Sequence, residues 1–210
     1  MPEGLTVLGL AGSPRRGGNT DLLLEQALAG ATSEGATVER IVLSDLRIHP
    51  CRHCDGCLKT GLCIIEDDMQ PIHRKLREVD RLILAAPLMF MGVSAQAKTA
   101  IDRCQALWVA KYILKERHTT GSDGGRRRGL FLSTGGMRRP NLFEPAMATV
   151  RALFATCDLA FQAALTYQGV DEKGAIAEHP TALSEAFAAG ARLVRPAPAK
   201  EDDVRSLGDT

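Results

Sequence analysis

Aromatic residues are few in this chain: one Trp, two Tyr and six Phe among 210 residues. A platform on which nucleobases stack needs more of them. The formal net charge is only +1, and both signs are interspersed, so there is no basic field for a phosphate backbone. Nucleic acid is therefore not an expected partner. No apolar run is long enough to cross a bilayer, and no membrane partner is expected either. The apolar stretch near the N-terminus is only a few residues long and lacks a basic flank, which does not fit a signal peptide, so the expected location is cytoplasmic. Thiols stay reduced there, and the six cysteines are expected to serve metals or chemistry rather than disulfides.

Two familiar nucleotide motifs are also missing. Gly12 and Gly17 have the separation of a P-loop, but Gly18-Asn19 stand where Lys-[Ser/Thr] is required. That lysine reaches the terminal phosphates, so a nucleoside triphosphatase is not expected. A dinucleotide fingerprint needs G-x-G-x-x-G, and the spacing Gly9-x-x-Gly12 does not supply it.

What is present is a glycine-rich turn between a strand and a helix. Thr6 to Leu10 reads as a buried strand, Gly12-Ser13-Pro14-Arg15-Arg16-Gly17-Gly18-Asn19-Thr20 as the turn, and Thr20 to Ala31 as an amphipathic helix. Such a turn aims backbone N–H groups and the positive end of a helix dipole at one spot, which suits a phosphate. Ser13, Asn19 and Thr20 offer short donor side chains, and Arg15 or Arg16 can neutralise a dianion. Asn19 or Thr20 is also the expected N-cap.

Strand and helix signals then alternate. Further strands are expected at Thr37 to Val42, as an edge, and at Leu82 to Ala86, Gly129 to Ser133 and Leu159 to Leu165. Helices are expected from Asp67 or Asp68 onward, from Ser94 to about Lys111, from Phe143 to Thr156 and from Thr181 to Val194. Thr119 to Gly125 reads as a flexible connection. The pattern predicts an α/β, three-layer αβα domain over residues 1–195, a flavodoxin-like doubly wound parallel five-stranded sheet of order 2-1-3-4-5. Residues 196–210 read as a disordered tail. In such a sheet, ligands sit at the carboxyl ends of the strands, where the loops after the first four strands are expected to meet.

One of those loops, residues 45–68, holds Cys51, Cys54, Cys57 and Cys63 in the pattern C-x2-C-x2-C-x5-C. Four thiolates suit zinc or an iron–sulfur cluster. Structural zinc favours two separated knuckles. The tight, even spacing of the first three cysteines is instead the ferredoxin manner of holding three corners of a cubane. Zinc, and a loop of free thiols, stay open at this point. Cys104 and Cys157 lie among apolar neighbours and read as packing residues.

Gly-Ser-Pro-Arg-x-x-Gly-Asn-Thr after a first buried strand resembles the phosphate loop of the flavodoxin-like NADPH-dependent FMN reductase family. The cysteine motif, Asp67-Asp68-Met69 and Ser94-Ala95-x-x-Lys98-x-x-Ile101-Asp102-Arg103 resemble its iron-sulfur flavoprotein branch. The resemblance implies that Ser13, Arg15, Asn19 and Thr20 hold the phosphate of FMN, with Arg16 in a variable slot. It implies that the flavin ring lies between Pro87-Leu88-Met89-Phe90 and Ser133-Thr134-Gly135-Gly136, and that Cys51, Cys54, Cys57 and Cys63 carry one [4Fe-4S] cluster. The family commonly has tyrosine where this chain has Met89, which leaves Phe90 as the aromatic, at the ring or in the core. Asp102 and Arg103 read as packing or subunit-contact residues. Arg126-Arg127-Arg128 and Arg138-Arg139 read as solvated charges; the alternative is that one set meets the phosphates of NAD(P)H.

The function so implied is an FMN-dependent oxidoreductase or electron-transfer flavoprotein with small-molecule or protein redox partners, as a homodimer or homotetramer. Its rivals are a cluster-free NAD(P)H-dependent FMN, quinone or nitro reductase, and a non-enzymatic FMN-binding redox or zinc module.

Overall fold

Short runs of Val, Leu, Ile and Ala, too brief for helices and too apolar for an exposed sheet, form the middle of this protein. A computed structural model describes residues 4–196. Five parallel strands, β1 (Thr6–Ala11), β2 (Thr37–Val42), β3 (Arg81–Ala85), β6 (Arg128–Gly135) and β7 (Ala160–Gln168), pair in the order β2-β1-β3-β6-β7. This is the expected 2-1-3-4-5 sheet, with β2 on the edge. Strands β4 (Leu88–Met89) and β5 (Gly92–Val93) are an additional antiparallel hairpin in the loop after β3. The tail expected over 196–210 lies, apart from Pro196, outside the described residues.

The two-residue period of the strands divides the core between the two sheet faces. Leu8, Leu10, Leu82, Leu84 and Phe131 point to one side. There they meet α2 (Met69–Glu78), α3 (Ala95–Arg103), the short α4 (Gln105–Trp108) and α5 (Glu144–Thr156). Val7, Ala11, Ile83, Ala85, Leu130 and Leu132 point to the other side, against α1 (Asn19–Ser33) and α6 (Ala182–Val194). Each fully buried large aliphatic side chain contributes about 1.5–3 kcal/mol. Helices α1 and α6 cross almost backbone to backbone. A Cβ on Gly30 would stand 2.0 Å from the Phe187 carbonyl oxygen, and one on Gly190 would stand 1.8 Å from that of Ala27.

Several local expectations are corrected. The residue at the N-cap of α1 is Gly18, with extended backbone, and Asn19 and Thr20 form the first helical turn. The long helix expected from Ser94 breaks at Cys104 and ends in a π-helical turn, Val109–Ile113. Ser94 does cap it, accepting from Ala97 N. The stretch 119–125 is tied down: Ser122 N and Oγ donate to Asp80 at 2.6 and 2.9 Å, and Arg81 Nη2 donates to Asp123 at 2.7 Å. Arg127 is not solvated. It is 2% exposed and donates to the carbonyls of Val79, Leu76, His118 and Cys157, because a guanidinium can satisfy that many chain ends at once. Arg126 to Arg128 lie at the amino ends of β3 and β6, away from the carboxyl edge. Cys104 and Cys157 are buried, as expected.

Candidate functional site

The carboxyl ends of β1, β3 and β6 open onto one cleft. It is lined by Ser13, Arg15, Asn19 and Thr20 from the first loop, by Pro87, Leu88 and Met89 from the third, and by Thr134, Gly135 and Gly136 from the end of β6. Two residues of these loops stand elsewhere. Ser133 is fully buried, and its hydroxyl donates to the Ala86 carbonyl at 2.8 Å, which ties β6 to the start of the third loop. Phe90 sits at the turn of the β4–β5 hairpin with φ of 46° and is fully exposed, so it is neither core nor cleft wall. Leu88 and Met89 form that wall.

The first loop is braced from within. Arg15 N donates to Ser13 Oγ at 3.0 Å, Gly18 N to the Arg15 carbonyl at 3.2 Å, and Gly17 N to the buried Asp21 Oδ2 at 2.9 Å. Those three N–H groups are engaged inside the chain. The N–H groups of Asn19, Thr20 and Asp21 open α1 and have no intrahelical acceptor, so an anion at the dipole's positive end has donors waiting. Arg15 and Arg16 are now distinguished. Arg16 pairs with Asp45, whereas Arg15 has no ion-pair partner among the described residues.

Asn19 has a role the sequence did not suggest. Its Nδ2 donates to the Glu172 carbonyl at 2.9 Å, and its Oδ1 accepts from Ile176 N at 3.2 Å. It touches the cleft, yet its amide mainly fastens residues 172–176 over it. From this segment and the residues just before it, Val170, Asp171 and Lys173 also line the cleft. No motif marks them. The signal that locates them is topological, since the loop after the fifth strand emerges on the same edge as the others.

The cysteine loop lies apart from this cleft. Cys51, Cys54, Cys57 and Cys63 line a second cavity together with Arg103, Gln105 and Ala106, and the two share no lining residue. The expectation that all four loops meet at the cleft is therefore corrected for the cysteines: their loop touches the first loop through the Arg16–Asp45 pair, but the four thiols line a separate cavity. The physical reason is Arg103, which is 1% exposed. Its guanidinium grips Asp67 and donates to the carbonyls of His49 (2.8 Å) and Ile65 (3.2 Å), which flank the four cysteines. The loop is thereby folded over α3 and α4 instead of the sheet edge. Gln70 Nε2 adds bonds to the carbonyls of Cys63 (2.7 Å) and Ile65 (2.9 Å). Burial would raise the Asp67 carboxyl. The Arg103 guanidinium and the N–H groups of His49 and Met69 outweigh it and hold that carboxyl well below the usual range.

Between these anchors the chain turns through left-handed backbone at His53 (φ 49°), Asp55 (56°) and Gly61 (66°), which wraps it around the cavity. Burial raises the Cys57 thiol, and the other three cysteines are near enough to raise it further. Arg103 Nε is buried without a hydrogen-bond partner, and the guanidinium as a whole lies near Cys63. Among the described residues, no three His, Cys, Asp or Glu side chains converge at the spacing a single metal ion needs. The four thiols line one cavity with Arg103, a sulfur donor set of the kind that zinc or an iron–sulfur group takes.

A wider groove between β1, β2 and α2, crossed by the Lys75–Glu39 ion pair, holds none of these residues. No helix among the described residues is long and apolar enough to cross a membrane.

The chain is similar to known proteins in sequence and in fold. The chain is 38% identical over 125 residues to an iron-sulfur flavoprotein of Methanocaldococcus jannaschii, an alignment covering 60% of this chain and 65% of that one. It is 33% identical over 126 residues to an iron-sulfur flavoprotein of Methanosarcina thermophila, covering 60% and 66%. The chain thus spans no more than about two thirds of these relatives' length. Among solved structures, the NAD(P)H:quinone oxidoreductase from Methanothermobacter marburgensis superposes with a TM-score of 0.64 over 90% of this chain and 99% of that one, at 18% identity, a likeness of fold. The model of the NADPH-dependent FMN reductase family matches residues 5–157, which carry the first three cleft loops and the cysteine loop, and the chain belongs to that family.

Proposed function

We propose that this chain is an FMN-dependent oxidoreductase. In this reading the cleft at the strand ends holds FMN, NAD(P)H is the electron donor, and Cys51, Cys54, Cys57 and Cys63 hold a [4Fe-4S] cluster. The observation that carries the proposal is a cleft that joins an unpaired arginine and the open N-terminus of α1 at one end to the Thr134–Gly136 backbone at the other. When bound, FMN supplies hydride and single-electron chemistry, and the cluster supplies single-electron exchange.

The chain's own part is to bind, orient and exclude water. Arg15 and the first N–H groups of α1 would hold the phosphate. Leu88 and Met89 pack against one side of the ring site. The absence of side chains at Gly135 and Gly136 lets backbone N–H groups approach the ring edge, where they stabilise negative charge. No acid or base side chain is needed for this chemistry. Arg138 lies over Gly169 at the rim of the carboxyl edge, where it could meet a nicotinamide nucleotide's phosphates.

Relatives named iron-sulfur flavoproteins support the cluster assignment. Leu58, Leu62 and Ile64 of the cysteine loop, and Trp108, Tyr112 and Ile113 of the adjoining helical turn, are exposed. So much apolar surface beside a redox group supports a homo-oligomer, a dimer or tetramer, or a docking protein partner.

The test is Cys57→Ser, compared with the unaltered chain after anaerobic reconstitution with iron and sulfide. Both proteins should bind FMN, as read by quenching of flavin fluorescence, and only the unaltered chain should retain iron. NAD(P)H oxidation measured with and without the cluster then separates the two-centre protein from a plain reductase. Loss of FMN binding in Cys57→Ser would overturn the division between cleft and cysteine loop.

A further inference from the structure

We propose that Lys173 is a second cationic ligand of the flavin phosphate, carried to the first loop by the segment after β7 and aimed there by Asn19. The inference rests on the reading of the cleft as an FMN site. Residues 169–181 carry no motif, and the family match ends at residue 157, so neither motif nor family points to this lysine.

The placement is specific. Lys173 lines the cleft with Ser13, Arg15 and Gly18. Its Cε lies 3.9 Å from where a Cβ on Gly17 would stand, so its stem passes directly over the first loop. Like Arg15, it has no ion-pair partner among the described residues. These two are the only cationic side chains among the described residues that line the cleft.

The backbone beneath Lys173 is fixed, so its flexible four-carbon stem starts from a set position beside the first loop. Val170 N donates to the Gly135 carbonyl at 3.1 Å, and Ala175 N to the Glu172 carbonyl at 3.1 Å. Gly174, with φ of 84°, turns the chain into a 3₁₀ turn, Ala175–Glu178, whose Ile176 is fully buried. Asn19 bonds this segment twice, to Glu172 and to Ile176. Asn19 is thus a positioning residue for Lys173 as well as a wall of the cleft.

Charge balance leaves room for such a group. A phosphate monoester carries about −1.5 to −2 charges at neutral pH. Arg15 and the roughly half charge of a helix terminus supply about +1.5, up to about half a charge short of the full dianion. The nearby carboxylates do not occupy the position. Asp21 is behind the loop, bonded to Gly17 N and paired with Arg40. Asp171 packs on Gly136, at the ring end of the cleft, and Glu172 is exposed.

The experiment measures FMN and riboflavin affinity, by quenching of flavin fluorescence, for the deflavinated chain and its Lys173→Gln and Lys173→Arg variants. Lys173 is exposed, and the substitutions leave the backbone bonds in place. Lys173→Gln should weaken FMN about tenfold, as expected for one charge-assisted contact, and leave riboflavin affinity unchanged. Lys173→Arg should restore most of the loss. Unchanged FMN affinity in Lys173→Gln overturns the proposal, and so does an equal loss for FMN and riboflavin, which would place the lysine at the ring. An unaltered chain that fails to prefer FMN over riboflavin overturns the phosphate-loop reading itself and the proposal with it.

Discussion

Arg103 and Asp67 meet in a two-point ion pair, Nη1 to Oδ2 at 2.6 Å and Nη2 to Oδ1 at 3.1 Å, with both side chains buried. Arg103 ends α3, and Asp67 closes the cysteine loop. The pair therefore joins the loop to the helix beneath it, and the carbonyl bonds at His49 and Ile65 draw the two ends of the loop together.

Removing one partner leaves the other charge buried and unpaired. Arg103→Gln and Asp67→Asn should each destabilise the fold by about 3 kcal/mol. Arg103→Lys keeps the charge but loses the fork that spans Asp67 and two carbonyls, so it should fall short of full rescue. Denaturant midpoints check this. Unchanged midpoints in Arg103→Gln would show that the pair does not hold the loop.

His73 predicts an acid sensitivity above the carboxylate range. It is buried on α2, with Nε2 2.9 Å from the Arg103 carbonyl, and burial, helped by the charges of Arg103 and Arg77, pushes its pKa down to about 4. An unfolded histidine titrates near about 6.5. Between those values the unfolded chain binds a proton that the folded one refuses. The stability present above about pH 6.5 should therefore be lost progressively as pH falls towards about 4. His73→Gln should flatten that part of the stability–pH curve in cluster-free protein. An unchanged slope would assign the effect to another group.

The α1–α6 crossing depends on two missing side chains. Gly30→Ala or Gly190→Ala would drive a methyl into a backbone carbonyl, which cannot rotate away. Each should cost on the order of 3 kcal/mol. Thermal unfolding checks this, and a variant as stable as the parent would mean that the helices part freely.

The two neighbouring arginines of the first loop should behave differently. Arg15→Ala should weaken FMN binding by about tenfold or more, through loss of a charge-assisted contact. Arg16→Ala removes only an exposed pair with Asp45 and should leave FMN affinity unchanged. Equal losses would mean that Arg16 abandons Asp45 for the phosphate.

Much of the fold is legible in the sequence because its signals are local. The run Leu82 to Ala86 and the alternation over Thr37 to Val42 place strands to within a residue. Ser94 and Asp68 mark helix starts where the structure has them. The loops of the cleft follow from the sheet's topology. What is not legible depends on partners far apart in the chain. Arg127 reads as a loop charge until the carbonyls of Val79 and Cys157 stand around it. Arg103 reads as a packing residue until Asp67 and the loop ends meet it. Asn19 reads as a phosphate ligand, and its further bonds to Glu172 and Ile176 show only when the fold sets that distant segment beside it. Phe90 is an apolar residue exposed at a hairpin turn, which no hydrophobic pattern would foretell.

The most direct test of the two-centre account is an absorption spectrum of the anaerobically purified protein, with iron, sulfide and zinc assayed on the same sample. The account predicts flavin bands over a broad shoulder near roughly 400 nm, with about four iron and four sulfide per chain. Flavin bands without iron or sulfide, even after reconstitution, would contradict it and leave a plain flavin reductase whose four cysteines hold no cluster. One zinc per chain in place of iron would contradict it equally.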